Sequence, residues 1–327
     1  MDLSDPQPLT HPMVIDIGGR TFSTDLANQL PLAFRGLGDF PKEVAYIEGM
    51  PQWNTIADNS YQTTDEMKLI HQTALDVASE LPDGTTIIDL GAANSEKYAP
   101  YVHAFIGLGK TCRYLPLDVN FDSLLKQGSF EHGDAYFGNI TGPRLFLSMG
   151  SIFYNAPDNM CDDRCREFRK HLGPQDRLII GQDGPDDNQE AKTQASYQTQ
   201  AYHKFFNSYL EGIQRYAGIE ADVDPPCEVV DPESVRNLNP ETTWNVESKM
   251  HRSMHFFEVT ANIRMRYTKL GNFTFDSGTK YIMFPSWKRG EKEVHEITEK
   301  QGLAIRTLGK SPTSGMRQFI VQLPPSY

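Results

Sequence analysis

Cysteine is scarce in this chain: Cys112, Cys161, Cys165 and Cys227 are the only four in 327 residues. That excludes a disulfide scaffold. Cys161 and Cys165 are separated by three residues, but no second Cys/His pair at ligand spacing completes a metal site. Two thiols on one helical turn are expected, and no metal. Apolar runs of membrane-spanning length are missing, and the start "MDLSDPQPLT" has neither a basic nor an apolar signal region. A cytoplasmic protein with reduced thiols and no membrane partner is expected. Positive charge is also short, with 31 Lys and Arg against 43 Asp and Glu, a net charge of -12. A broad phosphate-binding face is therefore excluded, and nucleic acid with it. Internal repeats and low-complexity segments are absent. So is G-x-G-x-x-G, the fingerprint that lets a pyrophosphate approach a helix N-terminus.

What the chain does contain is an alternation of buried strands and amphipathic helices. Residues 1 to about 60 read as loop-rich with short apolar pieces. From Asp65, "DEMKLIHQTALDVASEL" has apolar residues at helical spacing and stops at "PDG". The strand "TTIIDL", the helix "EKYAPYVHAFIGLG", the strand "CRYLPLDV" and a short helix "FDSLLKQG" follow. "PRLFLSMGS" and "DRLIIGQDG" read as strands around the helix "DDRCREFRKHLG". This rhythm predicts an α/β fold with a parallel, doubly wound sheet. After Gly184 the rhythm changes to a polar-aromatic helical stretch, a Pro-rich loop, and paired strands, "SMHFFEVTANIRMRYTKLGNFTFDSG", around a Lys-Leu-Gly-Asn turn. His251 and His255 lie where that stretch runs into a strand, so a metal pair there is not expected. A last helix, "KEVHEITEK", and two closing strands return to the sheet. The predicted division is a sheet domain of residues 62–183 and 288–327, with 1–61 and 184–287 forming a second, α+β domain.

The turn after "TTIIDL" carries one glycine, Gly91, followed by two alanines. One close backbone approach is allowed there, without a pyrophosphate cradle. S-adenosylmethionine fits that economy, because it has an adenosine and an amino acid tail but no phosphate. Asp118, ending the second strand, stands where a carboxylate accepts both ribose hydroxyls. A strand-end carboxylate is also often a helix cap or a solvated charge.

"DLGAANSEK" and "YLPLDV" together resemble the histidine-specific methyltransferase family, which includes ergothioneine-pathway and dimethylallyltryptophan N-methyltransferases. "AYIEGMPQWN" with "NSYQTTDE", "LFLSMGSIFYN" and "WNVESKMHRSM" resemble further blocks of that family, in family order and across most of the chain. The resemblance implies a Rossmann-like class I methyltransferase sheet with an inserted substrate-binding domain, and S-adenosylmethionine as cofactor. It implies that Tyr46, Gly91, Lys97 and Asp118 contact the cofactor, Lys97 through the methionyl carboxylate. The family's Gly-Asp-Phe at the adenine is replaced by Gly128, Ser129 and Phe130, with Asp134 competing for the same role. On the substrate side the resemblance implies Tyr61, Gly150, Asn155, Tyr197, Met254 and Ser286, with Tyr61, Asn155 and Tyr197 holding the reacting amino acid. Gln62 replaces the proline that usually follows this tyrosine. Asn155 equally suits a cap on the helix after "NAPD".

Histidine-specific members read the imidazole with a Glu-x-Ser pair, and here "FPS" places Phe284 where the glutamate stands. Phenylalanine offers an aromatic ring a stacking partner but offers an imidazole N–H no acceptor. The expected function is therefore α-N-methylation of a free aromatic amino acid, tryptophan before histidine, by a monomer. The alternatives left standing are histidine trimethylation, a nicotinamide-dependent oxidoreductase, and a cofactor-binding module without catalysis.

Overall fold

The computed structural model describes residues 22–92, 96–117, 140–184, 190–197, 199–217, 227–228, 244–249, 252–259, 263–267, 271–275, 279–282 and 284–325. Three helices lead the chain: α1 (Phe22–Phe34), α2 (Lys42–Asn59) and α3 (Tyr61–Glu80). The expectation of a loop-rich start is thus corrected from residue 22 onward. The reason is tertiary. α2 carries an internal Gly49 and Pro51 and only four buried residues, so its local pattern is weak. It is held by close packing on α7 (Gln200–Ala217). A Cβ at Gly49 would lie 2.7 Å from Phe205 Cδ2, and one at Gly212 2.8 Å from Val44 Cγ1, so both glycines set the helix spacing.

The central sheet is built from β1 (Thr85–Leu90), β2 (Cys112–Leu117), β3 (Arg144–Ser148), β4 (Arg177–Asp183), β12 (Ala304–Lys310) and β13 (Met316–Gln322). Its order is β12-β13-β4-β3-β1-β2. Strands β1 to β4 pair in parallel. The closing pair is antiparallel, β13 running against both β4 and β12. A wholly parallel sheet is thereby corrected at one edge: the short link between β12 and β13 allows a hairpin but not a crossover.

Alternate side chains enter two cores. Ile87, Leu145, Leu147, Ile179 and Ile320 face α3 and α4 (Ala99–Gly107). Ile88, Phe146, Leu178, Ile180 and Phe319 face the other layer, with α5 (Asp158–His171) and α8 (Glu291–Lys300). Helices on both faces make the sheet doubly wound, as the buried strands predict. Cys161 and Cys165 lie one turn apart on α5, free and buried in this second core.

Beyond β4 come α6 (Glu190–Ser196) and α7, then short strands in two further sheets. β7 (Arg252–Val259) pairs with β6 (Trp244–Lys249), β10 (Thr279–Ile282) and β11 (Ser286–Trp287). β8 (Ile263–Tyr267) pairs instead with β5 (Cys227–Glu228) and β9 (Gly271–Phe275). β8 and β9 pair antiparallel with Tyr267 opposite Gly271, the residues of the expected turn between them lying outside the described residues, but the strand before Thr260 belongs to a different sheet from the strand after it. A third core joins α1, α2, α7 and Phe284.

The chain leaves the sheet and returns to it at one place. A Cβ at Gly184 would lie 1.8 Å from Arg289 O, and one at Gly315 2.5 Å from Gly184 O. Only glycines let these backbones touch. Arg289 secures the return, donating to Tyr154 O at 3.1 Å and Ala156 O at 2.6 Å and pairing with Asp158 at 2.8 Å. No helix among the described residues is long and apolar enough to cross a membrane.

Candidate active site

The strand order reverses beside β1, so a crevice is expected at the carboxyl ends of β1 and β3. Two glycines with left-handed backbone stand there, Gly91 at φ 78° and Gly150 at φ 73°. Gly91 closes β1, and its N–H and that of Ala92 both donate to Leu117 O, at 2.8 and 3.0 Å. A Cβ at Gly91 would lie 2.8 Å from Ile152 Cδ1, so the turn runs hard against the loop after β3. Ser151 follows Gly150 at φ 59°, a strained conformation for a residue with a side chain. Its Oγ accepts the Asp183 N–H at 2.8 Å, which gives the conformation a purpose.

Between these loops lies the carboxylate of Glu66, from α3. It accepts the Gly150 N–H, with N–O distances of 2.8 and 3.1 Å. It also pairs with Lys97 Nζ at 2.7 Å; the glutamate side chain is 1% exposed and the lysine 25%. Room for it comes from Gly181 of β4, where a Cβ would fall 1.7 Å from Glu66 Oε1. Lys97 Nζ in turn lies 3.3 Å from where a Cβ on Gly150 would be.

A second node forms at Asp183, the last residue of β4. Its Oδ2 accepts from Tyr61 Oη at 2.9 Å and Gln62 Nε2 at 2.8 Å, and lies 3.2 Å from Lys288 Nζ. Thr193 Oγ1 of α6 stands 3.1 Å from Tyr61 Oη, and Lys192 Nζ lies 4.6 Å from the centre of the Tyr61 ring. Burial, then the Asp183 charge, push the Tyr61 phenol well above its ordinary pKa. Lys288 is fully enclosed. Burial opposes its charge, but Tyr197, Asp183 and Tyr61 outweigh that and raise its pKa. Its ammonium faces the Tyr197 ring at 5.7 Å, and Tyr197 Oη meets Ser286 Oγ at 2.7 Å. Asn155 Oδ1 accepts the Trp287 N–H at 2.7 Å. No side chain caps α5 at Pro157, so Asn155 ties the loop after β3 to residue 287 rather than capping that helix.

Behind Ser286 is an aromatic wall. Phe284, 2% exposed, lies 5.8 Å from Tyr46, 5.6 Å from both Phe205 and Phe206, and 6.2 Å from Tyr209, centre to centre. Tyr46 also meets Trp53 edge to face at 5.2 Å. Over the Phe284 ring, 5.4 Å from its centre, is Lys42 Nζ. Burial, then the Arg164 charge, hold this ammonium down to about 8.

The structure thus brings Tyr61, Tyr197, Asn155 and Ser286 to one region through Asp183 and residues 286–288. It brings Gly91, Lys97 and Gly150 together around Glu66. Tyr46 stands with Phe284 in the aromatic wall. Met254 lies on β7, in register opposite Glu247. Asp118, Ser129, Phe130 and the competing Asp134 lie outside the described residues, as does the Met254 side chain. Sequence reasoning missed Glu66, Asp183 and Lys288. Asp183 carried a usable signal, since it ends the strand "RLIIGQD" as Asp118 ends "YLPLD". Glu66 and Lys288 had none, each being one charge among many.

For a phosphate-free cofactor the residues present fit: one left-handed glycine at the β1 turn, a cation on Lys97 beside it, and no anion cradle among the described residues. A family model described as a histidine-specific, SAM-dependent methyltransferase matches residues 41–131 and 126–323. Ergothioneine biosynthesis protein 1 of Neurospora crassa is 24% identical over 242 residues, covering 66% of this chain and 28% of that protein. A 4-dimethylallyltryptophan N-methyltransferase of Arthroderma benhamiae is 28% identical over 120 residues, covering 35% of this chain and 34% of its own length. The match thus spans about a third or less of these two relatives. An N-methyltransferase of Aspergillus fumigatus is 22% identical over 309 residues, covering 84% of this chain and 79% of that protein.

Proposed function

The chain belongs to the histidine-specific, S-adenosylmethionine-dependent methyltransferase family, and from that premise we propose that it methylates the α-amine of a free aromatic amino acid, tryptophan before histidine. The observation that carries the reading is the convergence of Tyr61, Asn155, Tyr197 and Ser286 on Asp183 and residues 286–288. We propose further that residues 62–183 and 288–327 hold the cofactor, and that 1–61 and 184–287 hold the amino acid.

When bound, the cofactor supplies a methyl group on a sulfonium, already activated for displacement. The chain then has to align the reactants, and alignment alone contributes roughly 7–11 kcal/mol. Gly91 admits the cofactor backbone, and Lys97 faces its carboxylate, with Asp118, Ser129 and Phe130 proposed for the adenosine. Asn155 spends its Oδ1 on Trp287, which leaves Nδ2 to donate to the substrate's α-carboxylate. Tyr197 supports the same carboxylate, and its hydroxyl is fixed by Ser286. Tyr61 faces the α-nitrogen.

Preference for an uncharged ring rests on Phe284 and its surroundings. A stacked aromatic pair contributes ~0.5–1.5 kcal/mol beyond area burial. An imidazole N–H facing Phe284 loses a charge-assisted hydrogen bond of about 1.5–3 kcal/mol. Lys42, poised over the same ring, repels an imidazolium. The family description and the Neurospora relative favour histidine as the second reading.

The test is methyl transfer from labelled S-adenosylmethionine to each free amino acid. Label in tryptophan at a higher kcat/KM than in histidine is expected. Transfer to histidine and not to tryptophan overturns the substrate assignment, and no transfer to any amino acid overturns the reaction.

A further inference from the structure

Counting protons at Tyr61 settles which way its hydrogen bonds run. The phenol has one proton. Asp183 Oδ2, 2.9 Å away and facing two other donors on Gln62 and Lys288, offers only acceptor capacity, so it takes that proton. Thr193 Oγ1, 3.1 Å from the same phenol oxygen, must therefore donate to it. One lone pair of Tyr61 is thus used by Thr193, and for the other a ligand competes with Gln62, whose amide also reaches the phenol oxygen. Held this way, Tyr61 donates to Asp183 and can meet a ligand only as an acceptor.

An amine that attacks an electrophile must direct its lone pair at the reacting carbon. Its N–H bonds need acceptors, and any donor aimed at the lone pair blocks attack. We infer that Asp183 is a positioning residue that takes up the Tyr61 proton, so that the phenol oxygen receives an N–H of the substrate α-amine and never donates into its lone pair. This rests on the amino acid N-methyltransferase reading above. Asp183 is built for the task. It has no solvent exposure, and its N–H is fixed by the strained Ser151. Gln62 and Lys288 grip the oxygen that Tyr61 addresses, while Oδ1 has no hydrogen-bond partner among the described residues. All the binding is concentrated on one oxygen, and so is the orientation of the phenol.

The test is a double-mutant cycle on the full-length chain with its preferred amino acid. Asp183→Leu removes the acceptor and frees the phenol proton to turn toward the substrate; an asparagine would not, because three donors select its amide oxygen for the same position. Expected is a fall in kcat of about 100-fold, with the dissociation constants for S-adenosylhomocysteine and, in that complex, for the amino acid unchanged within about threefold. Such a split between kcat and affinity does not arise from a merely structural role. In a Tyr61→Phe background the same substitution should have no further effect beyond about twofold. Multiplying losses, or affinities that fall along with kcat, overturn the inference. Thr193→Val leaves the Asp183–Lys288 pair in place and decides the matter should Asp183→Leu not fold. Its smaller loss, about threefold, should also vanish beside Tyr61→Phe, and a loss that multiplies overturns the inference. A wild-type chain that methylates no free amino acid removes the functional reading and the inference together. An active wild type with multiplying losses removes the inference alone.

Discussion

Lys97 and Glu66 allow a quantitative test of how the cofactor loops are held. The two charges stand 2.7 Å apart, the carboxylate 1% and the ammonium 25% exposed. At an effective dielectric constant of about 20 their attraction is roughly 6 kcal/mol before desolvation is charged against it. Lys97→Met leaves a buried carboxylate with only the Gly150 N–H among the described residues. Stranding one partner of a buried pair costs about 3–5 kcal/mol. Water reaches the lysine end, so the lower figure applies, about 3 kcal/mol. Glu66→Gln is milder, because the amide oxygen still accepts from Gly150 and the lysine turns to solvent. A charged hydrogen bond becomes a neutral one, and the loss is about 2 kcal/mol in all. The double variant contains no stranded charge and should lose about 3 kcal/mol, well short of the sum. At about 2 °C per kcal/mol for a chain of this size, thermal unfolding should fall by about 6, 4 and 6 °C respectively. Both single variants should also weaken S-adenosylhomocysteine binding by calorimetry. Losses in the double variant that equal the sum, or an unchanged Lys97→Met, would refute the reasoning. Lys97 would then be an ordinary solvated lysine just ahead of α4.

Gly91→Ala should cost about 1–2 kcal/mol for its left-handed backbone alone, with further crowding from Ile152. Cofactor affinity in an equilibrium titration should fall with it, and an unaffected affinity removes Gly91 from the cofactor turn. Lys42 has a pH signature. Its folded-state pKa is near 8 against 10.5 for an exposed lysine. Between those values the unfolded chain binds more protons, so wild-type stability rises with pH there. Lys42→Met should therefore be more stable than wild type at pH 7, with the advantage shrinking toward pH 10.5 in denaturant titrations. A constant difference would show that Lys42 is solvated. Phe284→Glu puts a carboxylate within reach of Lys42 and facing the substrate ring. It should raise the histidine-to-tryptophan ratio of kcat/KM by about tenfold, at a cost in melting temperature, and an unchanged ratio removes Phe284 from substrate selection.

The sheet was readable because its strands are apolar on both faces and its helices follow a clean period. Even the isolated Gly91 announced the turn after β1. The leading helices were not readable, because α2 owes its form to the surface of α7, with Gly49 and Gly212 spacing the two. Nothing local in "KEVAYIEGMPQWNTIADN" reports that. The pairing of "SMHFFEV" was hidden for a similar reason. Adjacent strands often pair, but here the neighbours in sequence join different sheets. Tyr61, Asn155, Tyr197 and Ser286 were named only through family resemblance, since single polar residues have no period. Glu66 and Lys288 went unseen because burial, not residue type, sets their role, and burial is a property of the assembled fold.

The contact of Gly184, Arg289 and Gly315 has a consequence for how such enzymes diversify. Departure and return are clamped together, so the chain between them starts and ends at one point, and its remaining hold is on α2 through α7 and on Tyr61 through α6. Loss or replacement of that appendage leaves the strand ladder of the sheet intact. A chimera joined at Gly184 and Arg289 that carries a relative's appendage has to rebuild the α2–α7 contact, so it should melt below the recipient unless α1 and α2 travel with the graft.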